Sequence, residues 1–180
     1  MKRNSLLSLL DSYQTSDEAE LEMVNETIHF VRSNPECFER SLQTGHVTAS
    51  GWVVSADREL VLLMHHRKLD RWFQPGGHCD GDPDVANVAR KEVEEETGLT
   101  HFTLAKDQIF DVDIHLIPAN LKDSAHYHYD IRFLFEADPK SELIINMESK
   151  DVKWIPIREV QKLNDSESIM RMVRKTTFDK

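Results

Sequence analysis

Residues 91–99 read Lys-Glu-Val-Glu-Glu-Glu-Thr-Gly-Leu. At the ~100° per residue of an α-helix, Glu92, Glu95 and Glu96 fall within about 100° of arc while Glu94 points away. Ala86, Ala89 and Val93 take the adjacent arc, so such a helix packs on a core and carries three carboxylates at the border with solvent. Crowded like charges repel, and a divalent cation or raised pKa values relieve them; for oxygen donors a hard metal is the natural counter-charge. An isolated glutamate run would read instead as a solvated acidic face, paired with neighbours such as Lys91. The surroundings here point to a site. Pro75-Gly76-Gly77 upstream is expected to turn and bring bare backbone carbonyls and amides close to the helix start, and Gly98 closes the helix with a residue suited to positive φ.

A second constellation lies downstream. His126, His128 and Asp130 share one face of a strand by period 2, and Asp111, Asp113 and His115 share a face of the strand before it. A hairpin would gather these imidazoles and carboxylates as a second metal site, or as a wall that recognises phosphate and base; an exposed polar strand face is the plainer alternative. His65-His66-Arg67-Lys68 forms a local basic patch, in which Arg67 or Lys68 could contact phosphate or stand in a solvated loop. His78 and Cys79 are adjacent, but one cysteine beside one histidine lacks the spacing of a zinc site, and neighbours in sequence rarely form a nucleophile-base pair.

The elements that must position these groups follow from the hydrophobic pattern. A weak helical pattern at 4–13 precedes an amphipathic helix at 17–33, with an apolar stripe at Leu21, Val24, Ile28 and Val31 and a capping box expected from Thr15 and Glu18. Together they make an N-terminal helical extension, residues 1–43, suited to packing or to forming a homodimer. Residues 44–180 form the second domain. A hairpin is expected from strands at 47–55 and 60–66; Trp72 to Gly77 break the strand pattern, and a polar loop leads to a helix that Asp84 could cap. Strands at 109–117, 127–137 and 152–157 follow, then helices near 158–163 and 166–175. Trp72 and Phe73 read as packing residues ahead of the Pro-Gly-Gly turn.

Composition narrows the class. The chain has 180 residues, and its 22 basic against 32 acidic residues give a net charge of −10, a field that disfavours bulk nucleic-acid binding. Two cysteines are too few for a disulfide framework and fit a reducing compartment. The N-terminal run Leu6-Leu7, Leu9-Leu10 is too short for a signal peptide, and no apolar stretch approaches the ~20 residues of a membrane span. A cytoplasmic location is the expectation.

The stretch from Gly77 to Leu99 resembles the Nudix box, the loop-helix-loop signature of the Nudix hydrolases. Gly77, Glu92, Val93, Glu95, Glu96, Gly98 and Leu99 fall in register with it; Pro83 stands where the family has its first Glu, and Lys91 replaces its Arg. In the family those two residues brace the box, and Asp82 or Asp84 is the candidate to replace the lost carboxylate. The resemblance extends over residues 45–163. It implies an α/β fold, a Nudix-like α/β/α sandwich with a mixed β-sheet, and an enzyme that cleaves a diphosphate bond in a nucleoside diphosphate linked to another moiety or a similar small diphosphate. It also implies Mg²⁺ or Mn²⁺ bound by Glu92, Glu95, Glu96 and the Gly76 carbonyl. The general base would be Glu95, Glu96 or a loop glutamate, Glu148, with Asp151 in reserve; His115, His126 and His128 join Arg67 and Lys68 as candidate substrate contacts. Two alternatives share the fold: an isopentenyl-diphosphate isomerase-like enzyme, and a non-catalytic nucleotide-binding sensor.

Overall fold

The computed structural model describes residues 2–120, 124–147 and 149–178. Two helices, α1 (Asn4–Ser12) and α2 (Glu18–Ser33), lead into β1 (Gly45–Val54), β2 (Leu60–His66), β3 (Arg71–Phe73) and β4 (Gly76–His78). Next come α3 (Val85–Thr97), β5 (Phe102–Leu104), β6 (Asp111–Ile117), β7 (His126–Ala137) and β8 (Ser149–Pro156), then a 3-10 helix (Ile157–Lys162) and α4 (Glu167–Phe178). The strands pair in the order β3-β2-β1-β7-β5, with β4 also on β1, β6 on β7 and β8 on β2. This is a mixed sheet with flanking helices, the α/β class expected from the sequence, with the N-terminal helices in place.

The chain divides into two compact units, to both of which β1, β4, α3 and β7 contribute residues. The first comprises residues 1–50, 77–89 and 108–133. Here α2 buries Val24, Thr27, Phe30 and Val31, and Phe30 stacks on Tyr129 of β7 with ring centroids 3.9 Å apart. Leu21, expected in the apolar stripe, is exposed, whereas Glu20 beside it is fully buried. The Glu20 carboxylate accepts the Tyr13 hydroxyl at 2.8 Å, the Thr15 hydroxyl at 2.5 Å and the Val112 amide of β6 at 3.0 Å. A strand amide that would otherwise be buried unpaired thereby finds a partner, which explains an acid where the stripe predicts a hydrocarbon. The same demand shifts the cap. Asp17, not Thr15, accepts the Glu20 amide at 3.0 Å, leaving Thr15 to accept the Asp17 amide at 3.1 Å and to donate to Glu20.

The second unit comprises residues 51–76, 90–107 and 134–180. β2 pairs along its length with β8, from Leu60↔Pro156 to His66↔Ser149, and Trp52, Leu62, Leu63, Met64, Leu99 and Phe135 fill its interior. The Trp52 indole N–H donates to the Thr176 hydroxyl of α4 at 2.9 Å, satisfying a fully buried donor.

Three details depart from the sequence pattern. The expected break shrinks to Gln74 and Pro75: β3 pairs with β2, and Gly76–His78 pair with β1. Pairing holds Pro75-Gly76-Gly77 extended rather than turned, and the left-handed backbone falls later, at Asp80 (φ 48°) and Gly81 (φ 84°). β5 adds a short strand against β7, too brief to give a periodic signal. The segment after β8 winds as a 3-10 helix.

Candidate functional site

Local chemistry fixes both ends of α3. The Asp84 carboxylate accepts the Asn87 amide at 3.1 Å, as an N-cap should, and the Gly98 amide closes the helix on the Glu94 carbonyl at 2.9 Å with φ 75°. In the second unit the helix seats on Gly51 of β1, where a Cβ would lie 2.4 Å from Val93 Cγ2, so hydrogen is the only side chain that admits the contact. The segment before β8 is tied to the helix end: the Ile144 amide donates to the Thr97 carbonyl at 2.8 Å, and the Asn146 amide group donates to the Glu95 carbonyl at 3.4 Å.

This seating grades the three carboxylates by depth. Glu96 is buried, Glu92 is half-buried and Glu95 is exposed. Glu96 Oε2 accepts the Gly76 amide at 2.8 Å, so backbone from β4 and a carboxylate from α3 meet. A donor set of carboxylate oxygens beside backbone polar groups fits a hard divalent cation rather than a soft one.

The remaining candidates are placed as follows. The Arg67 guanidinium donates to the Met147 carbonyl at 3.0 Å and the Ser149 carbonyl at 2.8 Å, so its fork braces the segment before β8, and Lys68 is exposed. Asp151 pairs with Lys153, and Glu148 lies outside the described residues. Trp72 stacks on His65 with centroids 5.0 Å apart, and its carbonyl accepts the Asn164 side chain at 2.8 Å, in keeping with a packing role. Cys79 is buried, and burial, with Asp130 and Asp82 nearby, pushes its thiol well above the ordinary range. It is no nucleophile at neutral pH.

The β6–β7 hairpin brings the histidine constellation together. Its register sets His115 opposite His128, Asp113 opposite Asp130 and Asp111 opposite Arg132. Arg132 is buried with all three carboxyl groups at 2.8–3.2 Å. Burial alone would lower its pKa, but Asp113, Asp130 and Asp111 outweigh that and raise it. From β1, the hydroxyls of Thr48 and Ser50 donate to Asp130 at 3.1 and 2.8 Å. Two histidines absent from the sequence reading of this cluster join it, His46 of β1 and His78 of β4. One signal could have found the first: His46, Thr48 and Ser50 place polar residues at every second position of a strand that is buried throughout.

Comparison with known proteins agrees with this architecture. The NUDIX domain family matches residues 44–175. Among solved structures, a C. elegans Ap4A hydrolase superposes with a TM-score of 0.60 at 19% identity, over 74% of this chain and 96% of that one. The E. coli dihydroneopterin triphosphate pyrophosphohydrolase gives 0.58 at 14% identity, over 74% and 96%. A MutT NUDIX hydrolase from Burkholderia pseudomallei gives 0.57 at 19%, over 73% and 98%. No curated protein matches the sequence. The match of the NUDIX domain family over most of the chain, on a fold shared with Nudix hydrolases, makes this a hydrolase of pyrophosphate bonds. The chain belongs to the Nudix family.

Proposed function

We propose that the protein is a metal-dependent pyrophosphohydrolase cleaving the diphosphate bond of a nucleoside diphosphate linked to another moiety, or of a similar small diphosphate. The observation that carries the reading is the join of β4 to α3, where the Gly76 amide holds buried Glu96 while Glu92 and Glu95 stand further out on the same helix. Glu92, Glu95 and Glu96, with the Gly76 backbone, would hold Mg²⁺ or Mn²⁺. When bound, such an ion neutralises phosphate oxygens and lowers the pKa of a water. This chain's own part is positional. Glu96, fixed by the Gly76 amide, orients the site with little reorganisation, and exposed Glu95 is free to take the proton of the attacking water, with Glu148 as the other candidate base. Two of the neighbours named above, the Ap4A hydrolase and the dihydroneopterin triphosphate pyrophosphohydrolase, act by their names on compounds of this broad kind, and a Shewanella oneidensis NrtR NUDIX domain of the same fold (TM-score 0.52, 16% identity) was crystallised with ADP ribose. Among the described residues no helix is long and apolar enough to cross a membrane. With Cys37 and Cys79 both free thiols, a cytoplasmic setting fits the reading.

The test is product release from sugar nucleotides, dinucleoside polyphosphates, nucleoside triphosphates and coenzyme diphosphates with Mg²⁺ or Mn²⁺, beside a Glu96→Gln control. Metal-dependent hydrolysis lost in the control supports the reading. No release from any of these compounds by folded, metal-loaded protein would overturn it.

A further inference from the structure

The strands of the first unit carry three polar rows of period 2: His46, Thr48 and Ser50 on β1, Asp111, Asp113 and His115 on β6, and His126, His128, Asp130 and Arg132 on β7. At one end of these rows the imidazoles converge. Centroids of His46 lie 4.9 Å from His78, 5.0 Å from His126 and 4.8 Å from His128, and His78 and His128 are 5.1 Å apart. One ring nitrogen from each of His46, His78 and His128 lies within 4.8 Å of the others.

Two further observations point to a ligand. His46 is 2% exposed, yet neither of its ring nitrogens meets hydrogen-bond geometry, the backbone of Leu42 being the polar group beside it, and Nε2 of His128 is likewise without a partner. Buried polar atoms are normally paired, so imidazoles left unpaired and aimed at one another require a reason. The surroundings supply what a cation needs. Asp113 Oδ2 holds His115 Nδ1 at 3.2 Å and the Ser124 carbonyl holds His126 Nδ1 at 2.8 Å, fixing two adjoining rings. Beyond them, Asp111, Asp113 and Asp130 face a single guanidinium.

We propose that His46, His78 and His128 hold a divalent transition-metal ion of the Zn²⁺ type, with the fourth position open to water or to His126. In a tetrahedral zinc site, ligand nitrogens about 2.0–2.1 Å from the ion lie roughly 3.4 Å apart, so the three rings close by an ångström or so on loading. Nitrogen donors distinguish this site from the oxygen donors of α3: Mg²⁺ prefers the latter and zinc the former. The inference does not depend on the hydrolase reading, since none of Glu92, Glu95 and Glu96 is among its ligands.

The experiment titrates metal-stripped full-length protein with Zn²⁺ in excess Mg²⁺, followed by metal analysis after dialysis and X-ray absorption at the zinc edge. One retained zinc per chain, with outer-shell imidazole scattering, is expected. His46→Asn and His128→Asn should each weaken zinc at least about 100-fold, since loss of even an outer-shell partner costs 10–100-fold. Glu96→Gln should leave zinc binding unchanged. If His46→Asn misfolds, His78→Asn, at a half-buried position, and the wild-type spectrum decide the matter. Absence of retained zinc, an oxygen-only shell, or zinc lost with Glu96→Gln and kept in the histidine variants would overturn the proposal.

Discussion

On α3, three carboxylates crowd one helix face within five residues, and the helix grades them outward from buried Glu96 to exposed Glu95. In the first unit, five imidazoles from four strands gather above a guanidinium and three carboxyl groups, and Asp111, Asp113, Asp130 and Arg132 are all buried. The first arrangement relieves like charge by solvent and by the cation it is suited to take. The second relieves it internally, through hydrogen bonds and one fixed counter-charge. Sites of the first kind tolerate loss of a charge without losing the fold, whereas those of the second depend on every member.

That contrast is tested most severely at Arg132. Arg132→Met removes the guanidinium and leaves three buried carboxyl groups facing one another, so urea denaturation should show a loss of about 3–5 kcal/mol, the cost of breaking a buried ionic cluster. A variant as stable as wild type would show that this cluster is not held by its charges. On the helix the effect should fall on turnover instead. In Glu96→Gln the amide oxygen still accepts the Gly76 N–H, preserving the fold, while the lost charge lowers kcat at least about 100-fold, as for removal of one preorganised electrostatic group. Unchanged kcat would remove Glu96 from the reacting site.

The helix depends on fit more than on charge. In Gly51→Ala the new methyl meets Val93 Cγ2, and overpacking of this kind costs about 1–3 kcal/mol. Pairing the change with Val93→Ala should recover much of that loss in a double-mutant cycle, and additive losses would mean that α3 is seated by other contacts. A drop in kcat in Gly51→Ala alone, reversed in the double variant, would tie helix seating to the placement of the glutamates.

How far each region was legible in the sequence follows from how it is built. The carboxylate helix is local: the spacing of Glu92, Glu95 and Glu96, the Asp84 cap and the Gly98 stop are all written within fifteen residues, and the structure has each. The β6–β7 pairing is nearly as local, and period 2 alone places His115, His126, His128 and Asp130 in reach of one hairpin. His46 and His78 were not legible, because their approach depends on β1 and β4 pairing across thirty residues, which no local pattern encodes. The burial of Glu20 is illegible for a related reason: a helix stripe expects hydrocarbon, and only the docking of β6 supplies the amide that draws a carboxylate inward. At Pro75-Gly76-Gly77 composition signals a turn, and strand pairing with β1 overrides it.

The smallest effect is expected at the rim of the histidine-bearing unit, where Arg40 pairs with Asp80 in the loop between β4 and α3. Hydrogen bonding and charge from Arg40 hold the Asp80 carboxyl below its ordinary 3.8, with burial working in the other direction and His78 and His46 adding less. A carboxyl depressed in the folded state contributes stability above its unfolded pKa and loses it as pH falls through the folded value. Both side chains are more than half exposed, so the contribution is small and screened by salt. Arg40→Gln should therefore cost less than about 1 kcal/mol at pH 7, less again at high salt, and nothing once the pH is well below 3.8. Arg132→Met, by contrast, should retain most of its deficit at high salt because water and ions do not reach that cluster. A large, salt-independent loss in Arg40→Gln would erase the distinction between solvated and internal charge on which the comparison stands.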